Sequence, residues 1–277
     1  MKNAIALGTF DGVHKGHRAV LDLPCDYRKT AVTFLVPPKS VLTGETALIT
    51  TTADKSRILK NIGMDEILLL DFNAVREMTP EAFLDFLKEK YDPKLISCGF
   101  NYRFGKEGKG NSEAIKEFCL KNGIECKITS PVTEEGNIIS STVIREMLKN
   151  GEVKAANKLL SEPFSFVSEV IQGDKRGRTI GFPTVNQKYP EELVRLRFGV
   201  YKTKIEYNGK EYFGITDIGI RPTYKLDFII SETYIKDFSG DLYGEELRIT
   251  PLEFLRDEVK FISLEELKKQ IEIDLNS

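Results

Sequence analysis

The 277-residue chain has no tryptophan, two histidines and four cysteines. The cysteines (Cys25, Cys98, Cys119 and Cys126) form no C-x-x-C pair, and all fall in the first half. Two histidines do not complete a zinc set with them at finger spacing. The thiols are therefore expected to be reduced and mostly buried, as in a cytoplasmic protein. An excess of charge of either sign is also missing: 40 Lys and Arg against 42 Asp and Glu leave a formal charge of -2. No overall field attracts nucleic acid or anionic membrane, so any phosphate-binding power has to be local. No apolar run approaches the ~20 residues that span a bilayer, and the first residues lack a signal-peptide core. Neither nucleic acid nor a membrane is an expected partner. A Walker-type G-x-x-x-x-G-K-[ST] loop is absent as well.

What is present suits two soluble domains, with 41% hydrophobic and 30% charged residues over a length too great for a typical single core. Up to about residue 130, short apolar runs (4–7, 31–36, 66–70, 95–98 and 124–128) alternate with amphipathic stretches. The segment Thr79-Pro80-Glu81 supplies an N-cap, a first-turn proline and an acid for a helix carrying Phe83, Leu84 and Leu87. Strand–helix alternation predicts a doubly wound parallel sheet of Rossmann-like type, whose ligands bind at the carboxyl ends of its strands. Residues 142–160 read as helix with a break at Asn150-Gly151. After Pro163 the pattern turns to strands (164–171, 200–207, 211–218, 228–235 and 247–255), with Asn208-Gly209 as a type I′ hairpin signal. Ser263 caps a closing helix predicted to run through Ile273. The second half is thus expected to be a small β-barrel or sandwich with a C-terminal helix, and the boundary is placed at 160/161.

Both histidines lie in Gly8-Thr9-Phe10-Asp11-Gly12-Val13-His14-Lys15-Gly16-His17, directly after the first predicted strand and at the opening of a helix. Glycines let the backbone approach a ligand, and a helix start offers N–H groups to phosphate. Two imidazoles there can hydrogen-bond a phosphate whose charge grows in the transition state. The plainer alternative is a surface H-x-x-H pair. The segment His14-Lys15-Gly16-His17 resembles the H-x-G-H signature of the nucleotidyltransferase superfamily. The longer run is similar to the adenylyltransferase module of prokaryotic bifunctional FAD synthetases.

That resemblance implies ATP binding by Gly8, Phe10, Asp11, Gly12 and Gly16, with His14 and His17 stabilising the α-phosphate while FMN attacks. Ile139-Ser140-Ser141-Thr142-Val143-Ile144-Arg145 is similar to the family's I-S-S-T-x-I-R segment, which implies a grip on ATP phosphates by Ser140, Ser141, Thr142 and Arg145. Gly99-Phe100-Asn101-Tyr102-Arg103-Phe104-Gly105 resembles the family's flavin-side loop and implies flavin contacts from Asn101, Tyr102 and Phe104, although the aromatics suit packing equally. Two stretches depart from the family pattern. The helix after His17 has little room, and Phe34-Leu35-Val36-Pro37-Pro38 lacks the histidine that relatives often carry.

Gly173-Asp174-Lys175-Arg176-Gly177-Arg178-Thr179-Ile180-Gly181-Phe182-Pro183-Thr184-Val185-Asn186 opens the β-rich half and resembles the riboflavin kinase signature. The resemblance implies phosphate contacts from Gly173, Gly177 and Arg178. It also implies Mg²⁺ held by Thr184 and Asn186, whose hydroxyl and amide oxygens are hard ligands. Segments 199–201, 214–223, 232–244 and 254–261 match further family motifs in order. Glu232 is the family-matched base for the ribityl hydroxyl, and Arg256 a flavin-side or ordinary surface arginine.

The expected protein is a flavin cofactor enzyme of two modules, an FMN adenylyltransferase domain (1–160) and a riboflavin kinase domain (161–277). Riboflavin and ATP would give FMN and ADP, and FMN with a second ATP would give FAD and pyrophosphate. A chain with one working half, or a flavin-binding regulator built on the same folds, are the other readings.

Overall fold

The computed structural model describes residues 2–172, 182–220 and 228–276. Gly173, Gly177 and Arg178, assigned above to phosphate binding, lie outside the described residues. The chain divides into two compact units. One comprises Met1–Glu45, Thr50–Ser141 and Leu159–Glu162; the other comprises Thr46–Ile49, Thr142–Lys158 and Pro163–Ser277.

The first unit is built on five parallel strands: β1 (Lys2–Leu7), β2 (Tyr27–Phe34), β3 (Glu66–Leu70), β4 (Pro93–Gly99) and β5 (Glu125–Thr129), ordered β3-β2-β1-β4-β5. This is the doubly wound sheet that the alternation predicts. Its strands read as continuous apolar runs because both faces are covered. Ile5, Leu7, Val32, Ile96 and Cys98 form one face, packed on Phe83, Leu84 and Leu87 of α5 (Pro80–Tyr91) and on Ile115 and Cys119 of α6 (Ser112–Asn122). Ala4, Ala6, Ala31 and Leu95 form the other, packed on Val20 and Leu21 of α1 (Lys15–Leu21) and Ile58 and Leu59 of α3 (Thr52–Asn61). Alternating Ala with Ile and Leu along β1 follows from the two-residue period of a strand. Thr79 caps α5 by accepting from the Ala82 N–H, with Pro80 in the first turn as predicted. Helix α1 has only seven residues, consistent with the short stretch after His17.

Strand order reverses between β1 and β4, since β2 and β3 extend to one side and β5 to the other. The loops leaving the carboxyl ends of β1 and β4 therefore flank the topological switch point, where open α/β sheets bind ligands. These are the histidine loop and the Gly99–Gly105 loop.

Helices α2 (Pro38–Thr43) and α4 (Phe72–Val75) and the paired short strands β6 (Thr133–Glu134) and β7 (Asn137–Ile138) also belong to the first unit. In the second unit six strands close an antiparallel barrel: β8 (Phe166–Ile171), β9 (Thr184–Lys188), β10 (Gly199–Tyr207), β11 (Lys210–Ile220), β12 (Ile229–Ile235) and β13 (Glu246–Arg256). Around the barrel they run β10-β11-β12-β9-β8-β13, and β13 pairs back onto β10. Asn208 and Gly209 both adopt positive φ (47° and 72°), as a type I′ turn between β10 and β11 requires. The interior contains a ladder of buried hydroxyls: Thr203 to Thr216 and Thr216 to Thr233, each 2.9 Å. Helices α7 (Ser141–Lys149) and α8 (Val153–Leu159) precede the barrel, and a C-terminal helix (Leu264–Asn276) closes the chain with Ser263 Oγ accepting from the Glu266 N–H.

Candidate active sites

In the first unit the loop from Gly8 to His14 holds an unusual backbone. Phe10 (φ 49°) and Val13 (φ 37°) are non-glycine residues in the left-handed region, with Gly12 at φ 83°. Each such residue costs on the order of 1–3 kcal/mol and persists only where its surroundings over-determine it. The surroundings do so here. The Thr9 carbonyl accepts from Thr33 Oγ1 (2.8 Å), the Asp11 carbonyl from Ser141 Oγ (3.0 Å), and the Val13 carbonyl from the Ser161 N–H (3.2 Å) and hydroxyl. The Gly12 N–H donates to Thr50 Oγ1 (3.1 Å), and the Thr50 N–H donates to Asp11 Oδ1 (3.1 Å). Phe10 is fully buried, and a Cβ on Gly8 would stand 2.6 Å from its ring, so only glycine admits this turn.

The loop delivers the two imidazoles together. His14 is buried and caps α1, its Nδ1 accepting from the His17 N–H (3.3 Å). Accepting there requires an unprotonated Nδ1, which places the ring proton of neutral His14 on Nε2. The rings of His14 and His17 stack at 3.6 Å and 18°, and Phe10 meets the His17 ring edge-on at 5.4 Å. Such a pair, on a loop fixed before any ligand arrives, can present hydrogen-bond donors to one phosphate without reorganising. Of the residues assigned to ATP, Phe10 and Asp11 are buried, and the Asp11 carboxylate accepts from the Thr50 N–H and hydroxyl.

The Gly99–Gly105 loop divides its aromatics. Phe104 is buried against Phe83, and Tyr102 stacks on Phe104 at 5.8 Å, with its phenol pushed well up by burial. Asn101 is exposed. Of the I-S-S-T-x-I-R segment, Ser140 and Ser141 belong to the first unit and Thr142 and Arg145 to the second, where Arg145 Nε donates to the Ala47 carbonyl at 2.6 Å.

In the second unit β9 and β12 bring together the kinase-side residues. Strand alternation turns Thr184, Asn186 and Glu232 to the face opposite buried Gln187, Ser231 and Thr233. Glu232 stands directly across from Asn186 on one side and Asp217 on the other. Thr184 Oγ1 donates to Glu232 Oε1 at 2.6 Å. A hydroxyl, an amide and a carboxylate thus share one small surface, and all are hard oxygen donors suited to a magnesium ion that keeps water and phosphate as its other ligands. Among the described residues no group of three His, Cys, Asp or Glu side chains could hold a metal by itself. The Arg256 guanidinium forms a 2.8 Å ion pair with buried Asp274 of the C-terminal helix and lies 5.6 Å from the Phe261 ring centroid.

Sequence reasoning did not single out Thr33, Thr50 or Ser161, which fix the histidine loop, because no local signal links residues 24 to 148 positions apart. No described helix is long and apolar enough to cross a membrane.

Two family models match the chain. The FAD synthetase family model matches residues 1–143 and the riboflavin kinase model residues 160–277. The bifunctional riboflavin kinase/FMN adenylyltransferase of Listeria monocytogenes is 36% identical over 99% of this chain and 90% of its own length. Its namesakes in Bacillus subtilis and Escherichia coli (strain K12) are 34% and 32% identical, each over 90% of its own length. A crystal structure described as a macrolide-efflux protein from Streptococcus pneumoniae matches with TM-score 0.90 and 32% identity, over 99% of this chain and 93% of that one. On two family matches and relatives aligned almost end to end, the chain belongs to the bifunctional riboflavin kinase/FMN adenylyltransferase family.

Proposed function

We propose that this protein phosphorylates riboflavin to FMN in its barrel unit and adenylylates FMN to FAD in its sheet unit, with ATP as co-substrate of both steps and the cytoplasm as its compartment. What supports the reading is His14 stacked on His17 in the sheet unit and Thr184 hydrogen-bonded to Glu232 in the barrel unit.

In the barrel unit Glu232 accepts the proton of the primary ribityl hydroxyl as that oxygen attacks the γ-phosphorus, and ADP leaves. Thr184 and Asn186 would hold Mg²⁺, which when bound neutralises the charge of the transferring phosphoryl group. Thr184 orients the Glu232 carboxylate through its hydroxyl. Most of the barrier lowering comes from positioning and charge neutralisation, because a loose phosphoryl transition state asks for little covalent help.

In the sheet unit the FMN phosphate attacks the α-phosphorus of ATP, and pyrophosphate departs. His14 and His17 donate to the α-phosphate oxygens as charge accumulates there. The fixed Nδ1 acceptor of His14 keeps its Nε2–H available for that purpose. Asn101 and the exposed part of the Gly99–Gly105 loop, across the switch point, supply the flavin side. Ser140 and Ser141 add to the phosphate grip of this unit.

A time course with purified protein, riboflavin, ATP and Mg²⁺, resolved by chromatography, tests the reading. FMN should appear first and FAD after it. FMN alone would restrict the activity to the barrel unit. Flavin binding without either product would favour a regulator.

A further inference from the structure

The stretch Thr50-Thr51-Thr52-Ala53-Asp54-Lys55 leads into α3, and its side chains hold the carboxyl ends of β1 and β2. Thr51 caps the helix, its Oγ1 accepting from the Asp54 N–H at 3.1 Å. Thr52 Oγ1 donates to the Leu35 carbonyl (2.7 Å), and Lys55 Nζ donates to the Phe34 carbonyl (2.6 Å). The end of β2 is thus tied to the first turn of α3. Thr50, one residue before the cap, reaches the loop after β1.

Thr50 meets that loop through its backbone and its side chain together. Its hydroxyl accepts from the N–H of buried Gly12 (3.1 Å) and donates to Asp11 Oδ1 (3.4 Å). Its own N–H donates to the same carboxylate oxygen at 3.1 Å. Thr33 and Ser161 act on carbonyls at the two ends of the loop, Thr9 and Val13, whereas Thr50 acts on an N–H at its middle. Phe10, Gly12 and Val13 all have positive φ there, and His14 follows at once. Backbone preference does not hold such a turn, so bonds from outside it must. A buried N–H also needs an acceptor, and Thr50 supplies one for Gly12.

We infer that Thr50 is a positioning residue for adenylyl transfer. Its hydroxyl holds the Asp11-Gly12 turn, and so fixes the stacked imidazoles of His14 and His17 where they meet the α-phosphate of ATP. The inference rests on the assignment of adenylyl transfer to the sheet unit. A residue that acts this way leaves a kinetic mark that a purely structural one does not. Losing the alignment of groups that work in the transition state lowers kcat and leaves KM nearly unchanged.

The test uses full-length protein without a tag, whose histidines are His14 and His17 alone. With ¹³C-labelled histidine, two Cε1–H signals in the magnetic resonance spectrum report the two rings. In wild type, stacking and the Phe10 edge should hold both signals away from the free imidazole position. Thr50→Val keeps the shape of the side chain and removes the hydroxyl. Both signals should then move toward the free position, and kcat for FAD formation from supplied FMN should fall about 10²-fold, with KM for ATP little changed. Thr50→Ser should restore the signals and most of the rate. Amide exchange adds a measurement that needs no variant: the Gly12 N–H should be protected in unliganded wild type. A freely exchanging Gly12 amide, unmoved signals or an unchanged kcat in Thr50→Val, or an equal loss in Thr50→Ser would each overturn the inference while the adenylyltransferase reading stands. Wild-type protein that makes no FAD from FMN would overturn both.

Discussion

Thr184 donates a 2.6 Å hydrogen bond to Oε1 of Glu232, across neighbouring strands of the barrel. The bond joins a proposed magnesium ligand to the proposed base, so the two roles are geometrically coupled. A lone pair of Glu232 is held in a defined direction, and the hydroxyl oxygen of Thr184 remains available to a cation.

Glu232→Gln keeps the shape and removes the basicity. FMN formation should fall by about 10²–10⁴ in kcat, the usual range for a positioned base, with FAD formation from supplied FMN unchanged. Thr184→Val should act mainly on the Mg²⁺ concentration that supports half-maximal rate. Equal Mg²⁺ dependence in Thr184→Val and wild type would remove Thr184 from the metal site.

His14→Ala removes both the cap on α1 and a donor to the α-phosphate. The cap is worth about 1 kcal/mol, and a single preorganised donor about 10²–10³ in kcat. FAD formation should fall by the larger factor while FMN formation persists. Loss of both activities together, measured on the same preparation, would argue against separate sites.

Gly8→Ala places a methyl 2.6 Å from the buried Phe10 ring. Overpacking of this kind costs about 1–3 kcal/mol. Because Phe10 is already at positive φ, the loop should give way before the sheet does. The expected result is a large loss of FAD formation with a modest drop in the thermal midpoint of the sheet unit.

Stability should respond to pH through Lys55 with a definite sign. In the folded chain its amine sits at about 8, against 10.5 ordinarily. Between those values the unfolded chain holds a proton that the folded chain lacks, so stability rises with pH across this window and the gain is lost as pH falls through about 8. The phenols of Tyr91 and Tyr102 are pushed up by burial and act in the opposite sense, their contribution being lost above pH 10. The Cys98 thiol, raised from 9.0 to about 12, acts in the same sense as the phenols above pH 9, so denaturant midpoints of the sheet unit should climb from about pH 8 toward 9 and drop beyond 10. Lys55→Met should show only the drop.

Thiol labelling should follow burial. Cys98 is buried and its thiol pushed up to about 12 by burial. Buried Cys119 is raised, and partly exposed Cys126 lowered, chiefly by the hydrogen bond between them. Only the thiolate reacts, so an alkylating reagent should modify exposed Cys25 and then Cys126 in the native protein, and Cys98 and Cys119 only after unfolding. Native labelling of Cys98, read by mass spectrometry, would contradict the burial of β4.

Much of the fold and of the chemistry was legible in the sequence because its signals are local. The two-residue alternation of Ala4 to Leu7, the Thr79-Pro80 helix start and the Asn208-Gly209 turn each act within a few residues. So does the spacing that stacks His14 on His17. Strand β9 was not legible as a strand, since Thr184-Val185-Asn186-Gln187-Lys188 is polar and reads as a motif alone. It becomes a strand because Gln187 finds the Ser168 and Leu247 carbonyls and because β8 and β12 supply its ladder. Arg256, read as flavin-side or surface, found Asp274 on the final helix. Asp11, read as a phosphate binder, found Thr50. Residue type and near-neighbour spacing therefore determined the strand–helix order, the turns and the reactive groups. Only tertiary structure decided which polar side chains face a ligand and which serve the fold, because a buried charge is satisfied by whatever the folded chain brings next to it, at any distance in sequence.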